Sequence, residues 1–71
     1  MDPNAAWQEL TLAFVAEERD HDRVSELALG LLGWLDKGGF PPKISGFKEF
    51  DRFVAQRTCR SLANHQWLHG K

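Results

Sequence analysis

A chain of 71 residues has room for one domain, and a domain this short buries only about 60% of the surface that its unfolded form exposes. Its single cysteine, Cys59, excludes an internal disulfide, and a lone thiol fits a reducing compartment better than a secreted protein. The formal net charge of −1 excludes a uniformly basic or acidic chain, although the charges are unevenly distributed.

The start, Met1-Asp2-Pro3-Asn4, lacks the basic segment and apolar run of a signal peptide. The longest apolar stretch, Leu27 to Leu35, is too short to span a bilayer. The expectation is a cytoplasmic protein with no membrane partner.

In chain order, Asp2-Pro3 supplies a helix start, with a capping carboxylate followed by a proline at the first helical position. Trp7, Leu10 and Phe14 then fall at i, i+3 and i+7, with Ala6 and Ala13 beside them, as on one face of an amphipathic helix. The stripe ends at Glu17-Glu18-Arg19-Asp20-His21-Asp22-Arg23, seven residues without an apolar side chain.

A second stripe follows: Val24, Leu27, Ala28, Leu31, Leu32 and Leu35, extended on one side by Trp34. Asp20 or Asp22 is its expected cap, and Gly38-Gly39 its end. Residues 7, 10, 14, 17, 21, 24, 28, 31 and 35 also form an unbroken 3–4 spacing, so one long helix is the competing arrangement. The hairpin is preferred because Asp is a poor helix-interior residue and a small domain must fold back on itself. The turn is expected between about Arg19 and Arg23, with Trp7 or Phe14 against the Val24–Leu35 stripe.

Pro41-Pro42 forbids continuation of the second helix and favours an extended connection. The segment from Gly38 to Ile44 should be ordered. Phe40 is expected beside Trp34 as a buried aromatic, so that Phe40→Ala would cost about 3–5 kcal/mol.

Ser45 is a reasonable cap for a third helix, in which Phe47, Phe50, Val54 and Leu62 share a face with Thr58 between them and Ala55 at its edge. Helical propensity continues to about Trp67. No segment alternates as a strand does, and no internal repeat is present. The predicted fold is all-α: a single three-helix bundle over residues 1–71, made of a helical hairpin and a third helix after a Gly-Gly-Phe-Pro-Pro connection.

Few residue sets suggest chemistry. His65 and His69, four apart, would share a helical face as metal ligands do, but Cys59 lies off that face and no other ligand completes a set. No metal or other cofactor is therefore expected, and a strong chelator should leave the melting temperature unchanged.

Asp20-His21-Asp22 places a histidine between carboxylates, yet a surface turn whose Asp caps a helix explains it without catalysis. Cys59 reads as a half-buried structural thiol. Gly38-Gly39 closes a helix, whereas a phosphate-binding loop opens one. Gly30 and Gly33 lie away from the leucine face, as close-contact positions or as tolerated surface residues. With no visible combination of acid, base and nucleophile, an enzyme is not expected.

Two kinds of binding surface remain. Through Lys37 the chain holds eight acidic residues against three basic, and from Gly38 onward six basic against two acidic. Lys48, Arg52, Arg57 and Arg60 make the third helix a candidate for nucleic acid. However, its opening Phe47-Lys48-Glu49-Phe50-Asp51 is poorly suited to base edges, and mutual packing of the two halves also accounts for the charge split. The favoured surface is apolar. Leu12, Val15, Leu29 and Phe53 fall outside or at the margin of the main stripes, and many aromatic residues serve a thin core. The expected function is a protein-interaction module or a self-associating helical protein, with another protein or itself as partner.

Overall fold

The computed structural model describes residues 1–63 and places three helices in them: α1 (Pro3–Val15), α2 (His21–Asp36) and α3 (Lys48–Ala63). Both α1 and α3 pack on α2, which forms the middle of a small all-α bundle. The hairpin reading holds, and the long-helix alternative does not.

Each start has a local cause. The Asp2 carboxylate accepts from the amides of Asn4 at 3.0 Å and Ala5 at 3.3 Å. Asp20 repeats the arrangement for α2, accepting from Asp22 and Arg23 at 3.1 and 3.3 Å. These contacts satisfy amides that have no partner inside the helix.

The turn between the helices contains neither glycine nor proline. It is held instead by Arg19, whose Nε donates to the Phe14 carbonyl at 2.6 Å while its guanidinium lies 4.1 Å from the Phe14 ring centroid. Arg23 of α2 pairs with Glu9 of α1 across the hairpin, half exposed on both sides and so a minor contributor.

The core is Leu10 of α1, Val24, Ala28, Leu31 and Leu35 of α2, and Ala55 and Cys59 of α3. Trp7, Phe14, Leu27, Leu32 and Trp34 flank it, as their stripes predict. Buried Ser25 donates from Oγ to the Leu62 carbonyl at 3.1 Å, fastening α2 to the last turn of α3. Gly30 and Gly33 are exposed, and a Cβ at either would meet nothing within 4 Å, so they are surface positions. Gly30→Ala should therefore raise stability by roughly 0.5–1 kcal/mol, measured by denaturant unfolding. A loss would reveal a contact at that site.

The end of α2 is a Schellman turn. Gly38, at φ +91°, donates to the Leu35 carbonyl at 3.0 Å, and Gly39 to the Trp34 carbonyl at 2.9 Å. Gly39 also lies against the Trp34 indole so closely that a Cβ there would come within 2.3 Å of Cε2.

The connection to α3 is ordered, as expected, and Pro41 and Pro42 are buried. Trp34 Nε1 donates to the Phe40 carbonyl at 2.9 Å, and the two rings meet edge-on with centroids 5.7 Å apart. Asn4 of α1 accepts from the Lys43 amide at 2.7 Å. Phe40 nevertheless keeps 53% of its surface exposed, which corrects the expectation of a buried aromatic. Its removal should cost clearly less than the 3–5 kcal/mol range.

The rotation of α3 departs most from expectation. The side turned to α2 is Asp51, Ala55 and Cys59, one residue per turn, whereas Phe47 and Phe50 point outward. Small side chains at 55 and 59 allow α3 to approach α2 closely. Asp51 is the one buried residue of the first turn, and its carboxylate is fully hydrogen-bonded. Its Oδ2 accepts from the amides of Ile44 and Gly46, both at 3.1 Å. Its Oδ1 accepts from the Ser45 amide at 2.8 Å and the Ser45 hydroxyl at 2.7 Å. Ser45 thus serves α3 indirectly, by holding Asp51 and by accepting from the Phe47 amide at 3.1 Å, rather than as the residue flanking the helix.

Candidate functional site

The rotation imposed by Asp51 sends the bulkiest side chains of α3 to the surface. Phe40, Ile44, Phe47, Phe50 and Phe53 are between 40 and 74% exposed, all within fourteen consecutive residues of the connection and α3. At about 100° per residue, Phe50, Phe53 and Arg57 lie within about 60° of one another, nearly opposite Ala55 and Cys59. Val54, half-buried, borders them. The Arg57 guanidinium lies 5.6 Å from the Phe53 ring centroid, so a cation sits beside the aromatic surface.

The four apolar residues singled out by sequence are all more than half exposed, but they belong to three helices. Leu12 and Val15 share an outward side of α1, about 60° apart in rotation. Leu29 lies on α2. Phe53 alone of the four joins the aromatic face of α3. Phe50 belongs to that face too, and Phe47, just before α3, is exposed about 120° round from Phe53, although their spacing with Val54 and Leu62 had assigned both to the inner stripe. The available signal was Asp51-x-x-x-Ala55-x-x-x-Cys59, a ridge of small and polar residues that competes with the phenylalanines for the inside.

The basic residues do not gather on one surface. Arg52 donates to the Leu35 carbonyl at 3.0 Å and the Gly39 carbonyl at 2.7 Å, capping α2 from α3. Arg60 faces Asp36 at 3.8 Å, and Gln56 donates to the same carboxylate at 3.2 Å. Lys48 borders a pocket of about 200 Å³ beneath Phe40 and the two prolines, with Lys43 and Asp51 on its wall. Arg57 lies on the aromatic face, and Arg60, two turns beyond Phe53 on the same side, is turned toward Asp36.

A second apolar feature, a groove of about 210 Å³, separates α1 from α3 and is lined by Trp7, Leu10, Thr11, Phe14, Thr58 and Leu62. It exists because both helices pack on α2 more closely than on each other.

Cys59 is fully buried rather than half-buried, and burial pushes its thiol up to about 11. A protonated, enclosed sulfur is a poor nucleophile and a poor metal ligand. In the folded protein at pH 8 it should resist a disulfide reagent such as DTNB and react fully once denatured. Rapid reaction of the native chain would place it at the surface. His65 and His69 lie outside the described residues. Among the described residues no three His, Cys, Asp or Glu side chains are placed to hold a metal ion, and no helix is long and apolar enough to cross a membrane. Asp20 serves as the cap of α2, with His21 as the first residue of that helix.

In comparisons with known proteins, no family model matches the chain, and no curated protein or solved structure matches it at a significant level.

Proposed function

We propose that this chain is a small cytoplasmic protein-interaction module or self-associating helical protein, without catalytic activity, working through the outward face of α3. The carrying observation is the exposure of Phe47, Phe50 and Phe53 at three-residue spacing, with Phe40 and Ile44 of the preceding connection also exposed. Single exposed apolar residues are ordinary on soluble proteins, but a run of large aromatics along one helix favours an interface. Rigid rings bring much contact area at little entropic cost.

Nucleic acid binding by Lys48, Arg52, Arg57 and Arg60 is the weaker reading. Arg52 is occupied in capping α2, Arg60 faces Asp36, and the four cations share no one side of α3.

The test compares the wild-type chain with a Phe50→Asp/Phe53→Asp double variant whose helicity is checked by circular dichroism. Cross-linking in extract of the native host and sedimentation of the pure chain should both change, with captured partners or self-association lost in the variant. Identical capture and identical mass for the two proteins would reject the α3 face. A salt-sensitive shift with random DNA, unaffected by the double variant, would favour the basic residues instead.

A further inference from the structure

We propose that the groove between α1 and α3 is filled by this chain's own Trp67, carried back over Leu62 by the residues that follow α3. Thr58 and Leu62, which form the α3 wall of the groove, stand about 140 and 180° round that helix from Phe53. The contact is therefore separate from the aromatic face.

The groove suits one large apolar side chain. Trp7, Leu10, Thr11 and Phe14 wall it on α1, and its volume is about 210 Å³. Thr11 donates from Oγ1 to the Trp7 carbonyl at 2.8 Å, so even this polar wall residue has its hydroxyl satisfied. Such a gap asks for burial and offers little to a polar ligand. It is also smaller than the roughly 300–1,000 Å³ of most small-molecule sites.

The continuity of the chain names the occupant. Ser25, near the start of α2, bonds the Leu62 carbonyl, and residues 16–20 join α1 to that same end of α2. Phe14 and Leu62 therefore lie at one end of the bundle, where the eight residues from Asn64 to Lys71 begin. These eight include the apolar pair Trp67-Leu68 and no acidic residue, whereas the adjoining turn holds Glu17 and Glu18. Charge at this end thus favours the approach of a segment bearing Lys71.

Reach and local preference agree. Trp67 is four residues beyond Ala63, a span of up to about 13 Å, and Thr58 lies only about 6 Å back along α3 from Leu62. Continued as a regular helix, the chain would carry Trp67 about 140° round from Leu62, away from the groove. Asn64 offers the alternative, since asparagine accepts the left-handed conformation that ends a helix. A side chain tethered this closely acts at an effective concentration on the order of millimolar, which disfavours a second copy or a foreign segment in the same place.

The test is a nuclear Overhauser experiment on the isotope-labelled full chain. Ring protons of Trp67 should show contacts to the Phe14 ring and the Leu62 methyl groups. Thr11→Glu, at an exposed position of the wall, sets a carboxylate in the groove and should abolish those contacts while helicity by circular dichroism is kept. Trp67→Ala should lower the melting temperature by at least about 4 °C in the wild-type chain and by clearly less in the Thr11→Glu chain.

Trp67 contacts confined to residues 63, 64, 70 and 71 would mean that the helix simply continues, and would overturn the proposal. So would contacts that arise only between labelled and unlabelled copies in a mixed sample, which would make a second chain the occupant. An equal effect of Trp67→Ala in both backgrounds would likewise separate Trp67 from the groove.

Discussion

Replacing Leu31 by alanine is expected to remove about 2–5 kcal/mol of stability and to bring the domain close to unfolding at room temperature. Leu31 is fully buried at the middle of α2, the helix on which α1 and α3 both pack. Folded domains retain roughly 0.05–0.15 kcal/mol per residue, so 71 residues supply about 4–11 kcal/mol. One truncated core leucine thus takes a large share of the total. The lost methyl groups forfeit their transfer energy, and the cavity remains because helices on two sides cannot both close on it. Urea unfolding followed by circular dichroism reads the difference. Leu12→Ala is the control, since Leu12 is 60% exposed on the far side of α1, and it should change stability by less than about 0.5 kcal/mol. Equal effects at the two positions would show that α2 is not the centre of the core.

The hairpin half of the fold is legible because its signals agree. Carboxylates at Asp2 and Asp20 start helices where the apolar stripes begin, and Gly38-Gly39 stops α2 where its stripe ends. The turn without glycine or proline is foreshadowed by its polarity, but it spans residues 16–20 rather than Arg19 to Arg23, because the Asp20 cap starts α2 already at His21. What closes it, Arg19 folded back on Phe14, is a side-chain contact that periodicity does not register.

The third helix reads less well, for a physical reason. Periodicity weighs side chains by hydrophobicity, and on that scale Phe47 and Phe50 outrank Ala55 and Cys59 for the interior. The outcome is decided by hydrogen bonds. Three backbone amides and one hydroxyl in the connection converge on Asp51, and turning Phe50 inward would leave all four without it. A buried carboxylate therefore fixes the rotation of α3, and the aromatic face follows from that rotation. Of the candidate site, Phe53 and Arg57 were visible in the sequence. Phe47 and Phe50 were visible as aromatic residues but given to the wrong side, and Arg52 hides a capping role behind the appearance of a surface cation.

Asp51 also carries the second large expected effect, and its sign depends on pH. Burial alone would raise the carboxyl above its ordinary range. The Ser45 hydroxyl and the amides of Ser45, Ile44 and Gly46 outweigh that and hold it down at about 2, against an ordinary value of 3.8. Because the folded protein binds the proton less readily than the unfolded chain, ionised Asp51 favours folding. Its contribution is complete above about 3.8, declines as the pH falls through the window down to about 2, and is absent below that. Asp51→Asn keeps one acceptor oxygen but replaces the other with an amide that faces donors, so at pH 7 the variant should melt well below the wild type. The amides of Ile44, Ser45 and Gly46 should then exchange hydrogen faster, because the connection loses its anchor. On acidification through the same window, the wild-type melting temperature should fall toward that of the variant. Parallel melting curves from pH 7 to pH 2, or unchanged exchange at residues 44–46, would mean that Asp51 does not hold the connection. The aromatic face of α3 would then need another cause.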